Sequence, residues 1–271
     1  MSNNAAVAAA APAASRFAGF SYNASTFVAG LAILFGLWWL STWALSLNPA
    51  TSRFASFGPG PAFEATWAMI EKGQVQKAIW ASSYRLGAGL LIAIAAGVPI
   101  GILIGRSRWF RELSNSPFQL MRMISPLSWE PIAVIVFAGW NSAIIFLVAI
   151  AAVWPIMFAT AAGLAKVDPA WFKVARNLGA SSRQIVTEII IPAIAFDVLT
   201  GVRLALGVAW MVLVPAEFLG VRSGLGYSIE DARESLEYDH LMAMLLVIGT
   251  MGYALDSACL ALIRRYSWHK Q

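Results

Sequence analysis

Three stretches of this chain carry no charged side chain, and each is long enough to cross a lipid bilayer. They cover residues 17–52, 86–105 and 131–165, whereas a spanning helix needs about 20 apolar residues. The third stretch is too long for one helix, and Gly139-Trp140-Asn141 predicts a tight turn between two spans. A chain that is 59% hydrophobic and 12% charged also has too little polar surface for a soluble globule. The sequence therefore predicts an all-α membrane protein.

Hydropathy and the residues that end each apolar run predict about six transmembrane helices. Their expected ranges are Phe27–Leu47, Tyr84–Ile104, Pro117–Ala138, Ser142–Gly163, Ile191–Leu219 and Leu241–Ile263. Pro126 and Pro131 should interrupt the third helix, because each removes a backbone donor. Residues 1–26 are predicted to be a disordered or loosely ordered cytoplasmic tail, because they lack the clustered positive charge of a signal sequence. Residues 27–271 then form one transmembrane domain.

Lys and Arg residues outside the predicted spans are unequally distributed between the two sides of the membrane. With the N-terminus inside, eleven of them fall in cytoplasmic segments and five in outer segments. Because cytoplasmic loops carry the excess of basic residues, both termini and the polar loop at residues 164–190 are predicted to be cytoplasmic. The sequence pI of about 9.6 then reflects topology, and no nucleic-acid partner is predicted.

The chain lacks the residues that metal or nucleotide chemistry requires. Its one cysteine, Cys259, cannot form an intramolecular disulfide, and its two histidines, His240 and His269, lie at opposite ends of the last predicted helix. No lysine is followed by Ser or Thr, so the chain has no phosphate-binding P-loop. We therefore expect no metal site, no bound cofactor and no enzymatic activity. If ATP drives this protein, a separate chain binds ATP with Mg and hydrolyses it.

The loop between the fourth and fifth predicted helices carries the most specific pattern. Asp168-Pro169 predicts the start of a short helix, Gly179 its end, and Ser181-Ser182 the start of another. Gly179 is followed by nine residues and then by Ile189-x-Ile191-Pro192. From the residues alone, an ordinary amphipathic loop stays the alternative to a surface that contacts a partner.

This spacing resembles the cytoplasmic loop by which permease subunits of binding-protein-dependent ABC importers engage their ATPase. In that family Glu-Ala-Ala precedes the glycine by three residues, whereas Lys173 and Val174 replace the first two of these residues here. The resemblance implies an ATPase-coupling loop at residues 164–190. Its implied coupling residues are Ala175, Arg176, Gly179, Ala180, Ser181, Arg183, Ile189 and Pro192.

Further segments, in the same order, resemble permeases of the nitrate, taurine, alkanesulfonate and bicarbonate importers. They are Ser83-Tyr-Arg85-Leu-Gly87, residues 121–132, residues 200–210, Pro215-Ala-Glu217 and Gly224-Leu-Gly226. The resemblance implies a type I ABC importer permease fold with cytoplasmic coupling helices in a bacterial inner membrane. The implied partners are a second permease copy in a homodimer, two ATP-binding subunits, an extracytoplasmic substrate-binding protein and membrane lipid.

Charged residues inside predicted spans normally face protein or water, because a charge in hydrocarbon is costly. Together with the resemblance, they indicate a pathway that moves a small anion into the cytoplasm. The candidates are Arg122, Trp129, Glu130, Arg203, Trp210 and Glu217. At position 130 this chain has a glutamate, whereas the related permeases have an apolar residue. The arginines can instead pair with Glu130, Asp197 or Glu217, and Trp residues are common at membrane boundaries.

Three rival functions stay open from the sequence. An ABC permease of this kind can carry an organic cation or a neutral metabolite. A secondary transporter can use Glu130, Asp197 or Asp256 as a proton relay, and it would need no ATP. An integral-membrane enzyme can pair Glu130 with Glu217 as catalytic carboxylates. Neither of the last two explains the spacing from Gly179 to Pro192.

Overall fold

The structure is a computed structural model that describes residues 13–267, with side chains described for residues 25–265. Every regular element in this range is helical. The α-helices are α1 (Ala13–Ser46), α2 (Pro59–Glu71), α3 (Gln74–Arg106), α4 (Arg108–Met123), α5 (Glu130–Val136), α6 (Trp140–Ala165), α7 (Pro169–Asn177), α8 (Ser182–Gln184), α9 (Ile191–Phe218), α10 (Leu225–Glu234) and α11 (Tyr238–Ser267). Two 3₁₀-helices, Ser52–Phe57 and Pro126–Trp129, and a π-helix, Ile185–Ile190, connect some of them.

Five helical segments of the described range are long and apolar enough to cross a membrane. They are Ser25–Ser46, Gln74–Arg106, Trp140–Ala165, Ser182–Phe218 and Tyr238–Arg265. Five of the six spans expected from hydropathy therefore correspond to long helices. The fourth and fifth expected helices match α6 and α9 within two residues at each end. The prediction of an all-α membrane protein is confirmed.

The third expected span, Pro117–Ala138, is interrupted between Met123 and Glu130, as Pro126 and Pro131 predict. Helix α4 contains Pro117 but ends at Met123, and Ser125 has extended backbone with φ −57° and ψ 130°. A residue before proline is disfavoured in the α-helical region, so Pro126 starts a 3₁₀-helix instead of continuing α4. The short helix α5 then starts with Pro131 in its first turn, where a missing N–H costs no hydrogen bond.

The described residues up to Glu64 form one compact unit. Within it, the indole N–H of Trp38 donates to the carbonyl of Phe57 at 2.8 Å, and the rings of Phe35 and Phe63 lie 6.0 Å apart. Helix α1 begins at Ala13, inside the range predicted to be a tail, and residues 1–12 lie outside the described residues. Large apolar side chains of α1 such as Ile33 are exposed, which suits a helix surrounded by lipid.

The second unit, from Ala65 onwards, is built around α3, α6 and α9. Their shared core includes Leu86 of α3, Ile144 and Leu147 of α6, and Leu213 of α9, all at most 4% exposed. Separate apolar clusters lie at the two ends of this core. One joins α2, α3, α10 and α11, and the other joins the end of α6 to the loop that precedes α9.

Glycines of α3 let its backbone approach α6 closely. A Cβ at Gly89 would lie 2.5 Å from a methyl group of Val148, and a Cβ at Gly101 would lie 2.5 Å from the carbonyl oxygen of Met157. Small residues at such positions are typical of helix pairs in membranes, where close van der Waals contact replaces hydrophobic burial as the attractive force. The α3–α6 contact therefore leaves no room for a side chain at these two glycines.

Substituting Gly101 by alanine should lower the free energy of unfolding by about 1–3 kcal/mol, because the added methyl group would overlap backbone of α6. The matched control is Gly87→Ala on the same helix, where a Cβ would meet nothing within 4 Å. That control should be neutral or slightly stabilising, since alanine favours helix over glycine. Thermal unfolding of both variants in detergent measures the difference. Equal melting of the two would contradict the proposed tight contact.

Candidate functional site

The loop that follows α6 folds as two helical pieces around Gly179. The carboxylate of Asp168 accepts a backbone N–H bond at 2.8 Å and caps the start of α7. At its end, Gly179 has φ +80° and donates to the carbonyl of Arg176, while Ala180 donates to the carbonyl of Ala175, both at 3.0 Å. This pair of bonds is a Schellman motif, which needs a left-handed residue at the glycine position. The break predicted at Gly179 is confirmed.

Ser181 starts the second helical piece. Its hydroxyl accepts from the N–H of Gln184, and the side chain of Gln184 bonds back to the N–H of Ser181, which makes a capping box. Arg183, in the first turn, is exposed. The helix then continues through the π-helix Ile185–Ile190 into α9, and Pro192 lies in the first turn of α9. The loop is therefore connected directly to a membrane-spanning helix.

One side of this loop is anchored to the transmembrane core. Ala175 of α7 is buried, and Ala180 and Ile189 pack against the same cluster. The other buried members of the cluster are Leu164, Ile185, Ile190 and Ile194. A displacement of α7 would therefore also displace the end of α6 and the start of α9, which pack in the same cluster.

The opposite side of α7 exposes apolar residues. Trp171, Val174 and Leu178 are 60%, 58% and 81% exposed, and their spacing of three and four residues places them on one face. Such a patch on a polar loop indicates contact with another protein. The sequence alone did not identify this surface. The spacing of the three apolar residues was the signal that could have revealed this surface.

A cavity of about 590 Å³ lies where α4, the 3₁₀-helix at Pro126, α6 and α9 meet. Arg122 is the single charged residue among those that line it, and Trp154 and Phe158 contribute aromatic walls. The guanidinium of Arg122 lies over the ring of Phe158, 5.3 Å from its centre. Within residues 25–265 Arg122 forms no ion pair with a carboxylate. This arrangement presents one uncompensated positive charge to an otherwise apolar space.

The other pathway candidates are not brought into this cavity. Trp129 packs against the core of α3, α6 and α9, and Glu130 lies half-buried in the first turn of α5. Trp210 packs between the same core and the α10–α11 cluster. A Cβ on Gly252 of α11 would lie 2.8 Å from the indole nitrogen of Trp210, so this side chain fills the contact between α9 and α11.

Arg203 also joins α9 to α11. It forms two hydrogen bonds of 2.7 Å with the carboxylate of Asp256, one from Nε and one from a terminal nitrogen. This bidentate geometry is the strong form of an arginine–carboxylate pair. Asp197, a further partner considered from the sequence, is bound by Lys166 at 2.6 Å instead. Arg203 therefore holds two helices together in this conformation.

Glu217 is the most completely buried charged residue of the described range. It is 0% exposed, and its carboxylate lies 2.5 Å from a terminal nitrogen of Arg85, which is itself 2% exposed. The hydroxyl of Ser82 donates at 2.8 Å and the N–H of Gly226 at 2.9 Å to the same carboxylate. A buried ion pair is tolerated only when further hydrogen bonds satisfy both partners, and these bonds meet that condition for Glu217.

The remaining donors of Arg85 are satisfied as well. They bond to the side chain of Asn141 at 2.8 Å and to the carbonyl and hydroxyl oxygens of Ser223 at 2.7 and 2.8 Å. Gly224 has φ +117°, and a Cβ there would lie 2.5 Å from the carboxylate of Glu217. The network joins α3, α6, α9 and α10 around one buried charge pair. Sequence reasoning singled out Arg85 and Glu217 but did not pair them.

Comparison with known proteins decides the family. Residues 97–267 match the family model described as the binding-protein-dependent transport system inner membrane component. A probable ABC transporter permease protein of Brucella abortus is 32% identical over 94% of this chain and 98% of its own length. The chain belongs to this permease family.

Two further relatives carry substrates in their names. The taurine transport system permease protein TauC of Escherichia coli is 31% identical, with 88% of each chain covered. The bicarbonate transport system permease protein CmpB of Synechococcus elongatus is 33% identical, with 69% of each chain covered.

A chain of the MetNI methionine ABC transporter in an inward-facing conformation superposes with a TM-score of 0.59 at 16% identity. The superposition covers 71% of the chain described here and 96% of the MetNI chain. At this identity it shows a shared fold alone.

Membership of the family settles the broad function. The permease is a transport subunit of the inner membrane, not an enzyme, and subunits of this family work with ATPase and substrate-binding partners. The enzyme and the stand-alone secondary transporter, both open from the sequence, are therefore excluded. The matched region contains the whole coupling loop and the Arg122 cavity, whereas Arg85 precedes it.

Proposed function

We propose that this permease moves a small anion, such as bicarbonate, nitrate, taurine or another sulfonate, into the cytoplasm. The supporting observation is the unpaired guanidinium of Arg122 in a cavity among membrane-spanning helices without any lining carboxylate. The Arg122 side chain is exposed beside an apolar wall, where its positive charge attracts an anion and repels a cation. Relatives named for bicarbonate and taurine transport point to the same class of cargo.

In this proposal Arg122 contacts the passing anion, and Trp129 and Glu130 border the route at the broken helix. Broken helices at membrane depth commonly line transport routes. Arg203, Trp210 and Glu217 hold the helices that form the walls, because each is engaged with a neighbouring helix. A second copy of the permease completes the pathway in a homodimer. ATP and Mg are bound by two partner ATPase subunits and not by this chain.

The coupling loop, with the eight residues from Ala175 to Pro192 named above, transmits the ATPase movement. The exposed face formed by Trp171, Val174 and Leu178 docks onto the ATPase, while the buried side of α7 pushes on the ends of α6 and α9. Closure of the ATPase dimer around ATP would then shift the population from inward-open to outward-open permease. The N- and C-termini and this loop face the cytoplasm, as the distribution of basic residues indicates.

Replacing Arg122 by glutamine should reduce anion uptake by roughly tenfold or more, because a hydrogen bond to a charged group contributes about 1.5–3 kcal/mol. Lysine at this position should restore part of the rate. The measurement is uptake of labelled bicarbonate, nitrate and taurine into proteoliposomes that contain the permease, its ATPase and the binding protein. Arg264→Gln, an exposed arginine in the last turn of α11, is the matched control and should leave uptake unchanged.

A thermal-shift screen of the binding protein identifies the cargo class independently of the permease. We expect at least one of the three anions to stabilise it and choline to have no effect. Stabilisation by choline alone would overturn the anion assignment. Unchanged uptake of the stabilising anion by Arg122→Gln would overturn the role of this arginine and leave the cargo class intact.

A further inference from the structure

A second cavity, of about 430 Å³, lies where α3 and α6 end, and residues of α4 and α7 also line it. Four cationic side chains line this basic cavity, and no carboxylate does. The four residues are Arg106, Arg111, Lys173 and Arg176. Apolar residues, among them Leu164 and Phe172, form the rest of the wall. These four residues belong to the excess of basic residues that indicates the cytoplasmic side, and the fold brings them around one cavity.

The four cations are not neutralised within the part of the chain whose side chains are described. No ion pair links any of them to an Asp or Glu there. Arg111 is fixed in place by the end of α3, since it donates to the carbonyls of Ile104 at 3.1 Å and Gly105 at 2.9 Å. Like charges placed around one cavity repel each other. An anion with several acceptor oxygens would relieve that repulsion and bind arginine in the geometry it favours.

The basic cavity lies at the level expected for lipid headgroups. The spanning helix α3 ends at Arg106, and three residues further the indole of Trp109 is 70% exposed. Tryptophan and arginine are enriched at this boundary between hydrocarbon and water. The half-buried ring of Phe172 in the same wall gives acyl chains a surface to contact below the headgroup.

The ATPase-docking face of α7 points away from this cavity. Trp171, Val174 and Leu178 share one side of the helix, whereas Lys173 and Arg176 lie on the opposite side at about 100° per residue. The apolar face and the basic cavity therefore lie on different sides of α7, and Arg176 is the one coupling residue that also lines the cavity.

We propose that the basic cavity binds the phosphate headgroup of an anionic phospholipid from the leaflet on the side of the coupling loop. Basic pockets between transmembrane helices on the cytoplasmic side bind such headgroups in other membrane proteins. The bound lipid connects the end of α3 to α7, so it sets the resting position of the coupling loop. The inference concerns lipid and is independent of the cargo.

The test titrates the purified permease–ATPase complex with short-chain phosphatidylglycerol or phosphatidylcholine and counts bound lipid by native mass spectrometry. We expect the complex to prefer phosphatidylglycerol. The double variant Arg106→Gln/Lys173→Gln should bind it about tenfold more weakly or worse, because each basic residue contributes about 1 kcal/mol to binding of anionic lipid. The control, Arg264→Gln/Arg265→Gln at the end of α11, removes the same charge outside the cavity and should bind normally.

Equal binding of the two lipids by the unmodified complex would overturn the proposal, and so would equal losses in the two double variants. A parallel titration with inorganic phosphate distinguishes the source of the anion. Displacement of phosphatidylglycerol by equimolar phosphate would assign the site to a soluble anion and reject the lipid. Thermal unfolding of both double variants without added lipid should give equal melting temperatures. A lower value for the cavity variant alone would show misfolding and count against lipid binding as the cause.

Discussion

Arg85→Met is expected to lower the free energy of unfolding by about 3–5 kcal/mol, or to prevent accumulation of folded permease altogether. Methionine keeps most of the aliphatic volume of arginine, so the main loss is the positive charge. The carboxylate of Glu217 would then stay completely buried with hydrogen bonds from Ser82 and Gly226 but without its counter-charge. Such an uncompensated charge is far more costly than the original pair was stabilising.

Thermal unfolding in detergent, with yield from the membrane as a second readout, measures this effect. The control is Arg108→Met, which breaks the pair between Arg108 and Glu112 where both side chains are exposed. That change should cost about 0.5 kcal/mol or less. Adding Glu217→Gln to Arg85→Met should recover part of the lost stability, because it removes the unpaired charge. Similar melting of Arg85→Met and Arg108→Met would show that the buried network does not stabilise the fold.

Gly179→Val is expected to uncouple ATP hydrolysis from transport. A left-handed conformation costs an L-residue about 1–2 kcal/mol, and a β-branched residue is a marked outlier there. The Schellman bonds that end α7 would therefore be lost, and α7 would no longer hold its position against the buried cluster below it. The ratio of uptake to ATP hydrolysis should fall at least about tenfold, while membrane insertion stays normal.

Gly73→Val is the matched control for this experiment. Gly73 also has a positive φ, +72°, and a Cβ at either glycine would meet nothing within 4 Å. The two substitutions therefore impose comparable backbone strain, but Gly73 precedes α3, far along the chain from the coupling loop. We expect Gly73→Val to reduce stability and to leave the ratio of transport to ATP hydrolysis unchanged. Full coupling in Gly179→Val, or equal uncoupling in Gly73→Val, would contradict the role assigned to the loop.

Local chemistry explains which elements the sequence could predict. The long uncharged run at residues 131–165 predicts α6 because a membrane span is a composition signal. Asp168, Gly179 and Ser181 define the ends of the helical pieces in the loop because caps depend on neighbouring residues. The prolines at positions 126 and 131 indicated the interruption of the third span. They did not indicate that α4 would start at Arg108, where the side chain of Ser107 accepts a hydrogen bond from the N–H of Phe110.

The side-chain partners could not be derived in the same way. Arg85 and Glu217 are 132 residues apart in sequence, and the fold alone brings them together. Arg203 had several carboxylates within reach of a plausible helix arrangement, and Asp256 became its partner because α9 packs against α11. The basic cavity combines residues from two separate parts of the chain, around Arg106 and around Lys173. Periodicity and caps report on neighbours along the chain, not on contacts between distant helices.

The π-helix Ile185–Ile190 determines the direction in which α7 leaves α9. Its hydrogen bonds span five residues instead of four, and the N–H of Ile191 accordingly donates to the carbonyl of Val186. Each residue of an α-helix rotates the chain by about 100°. Gain or loss of a single residue in this segment would therefore swing Gly179 to a different side of α9. The length of this six-residue segment therefore sets how the loop around Gly179 is oriented relative to α9.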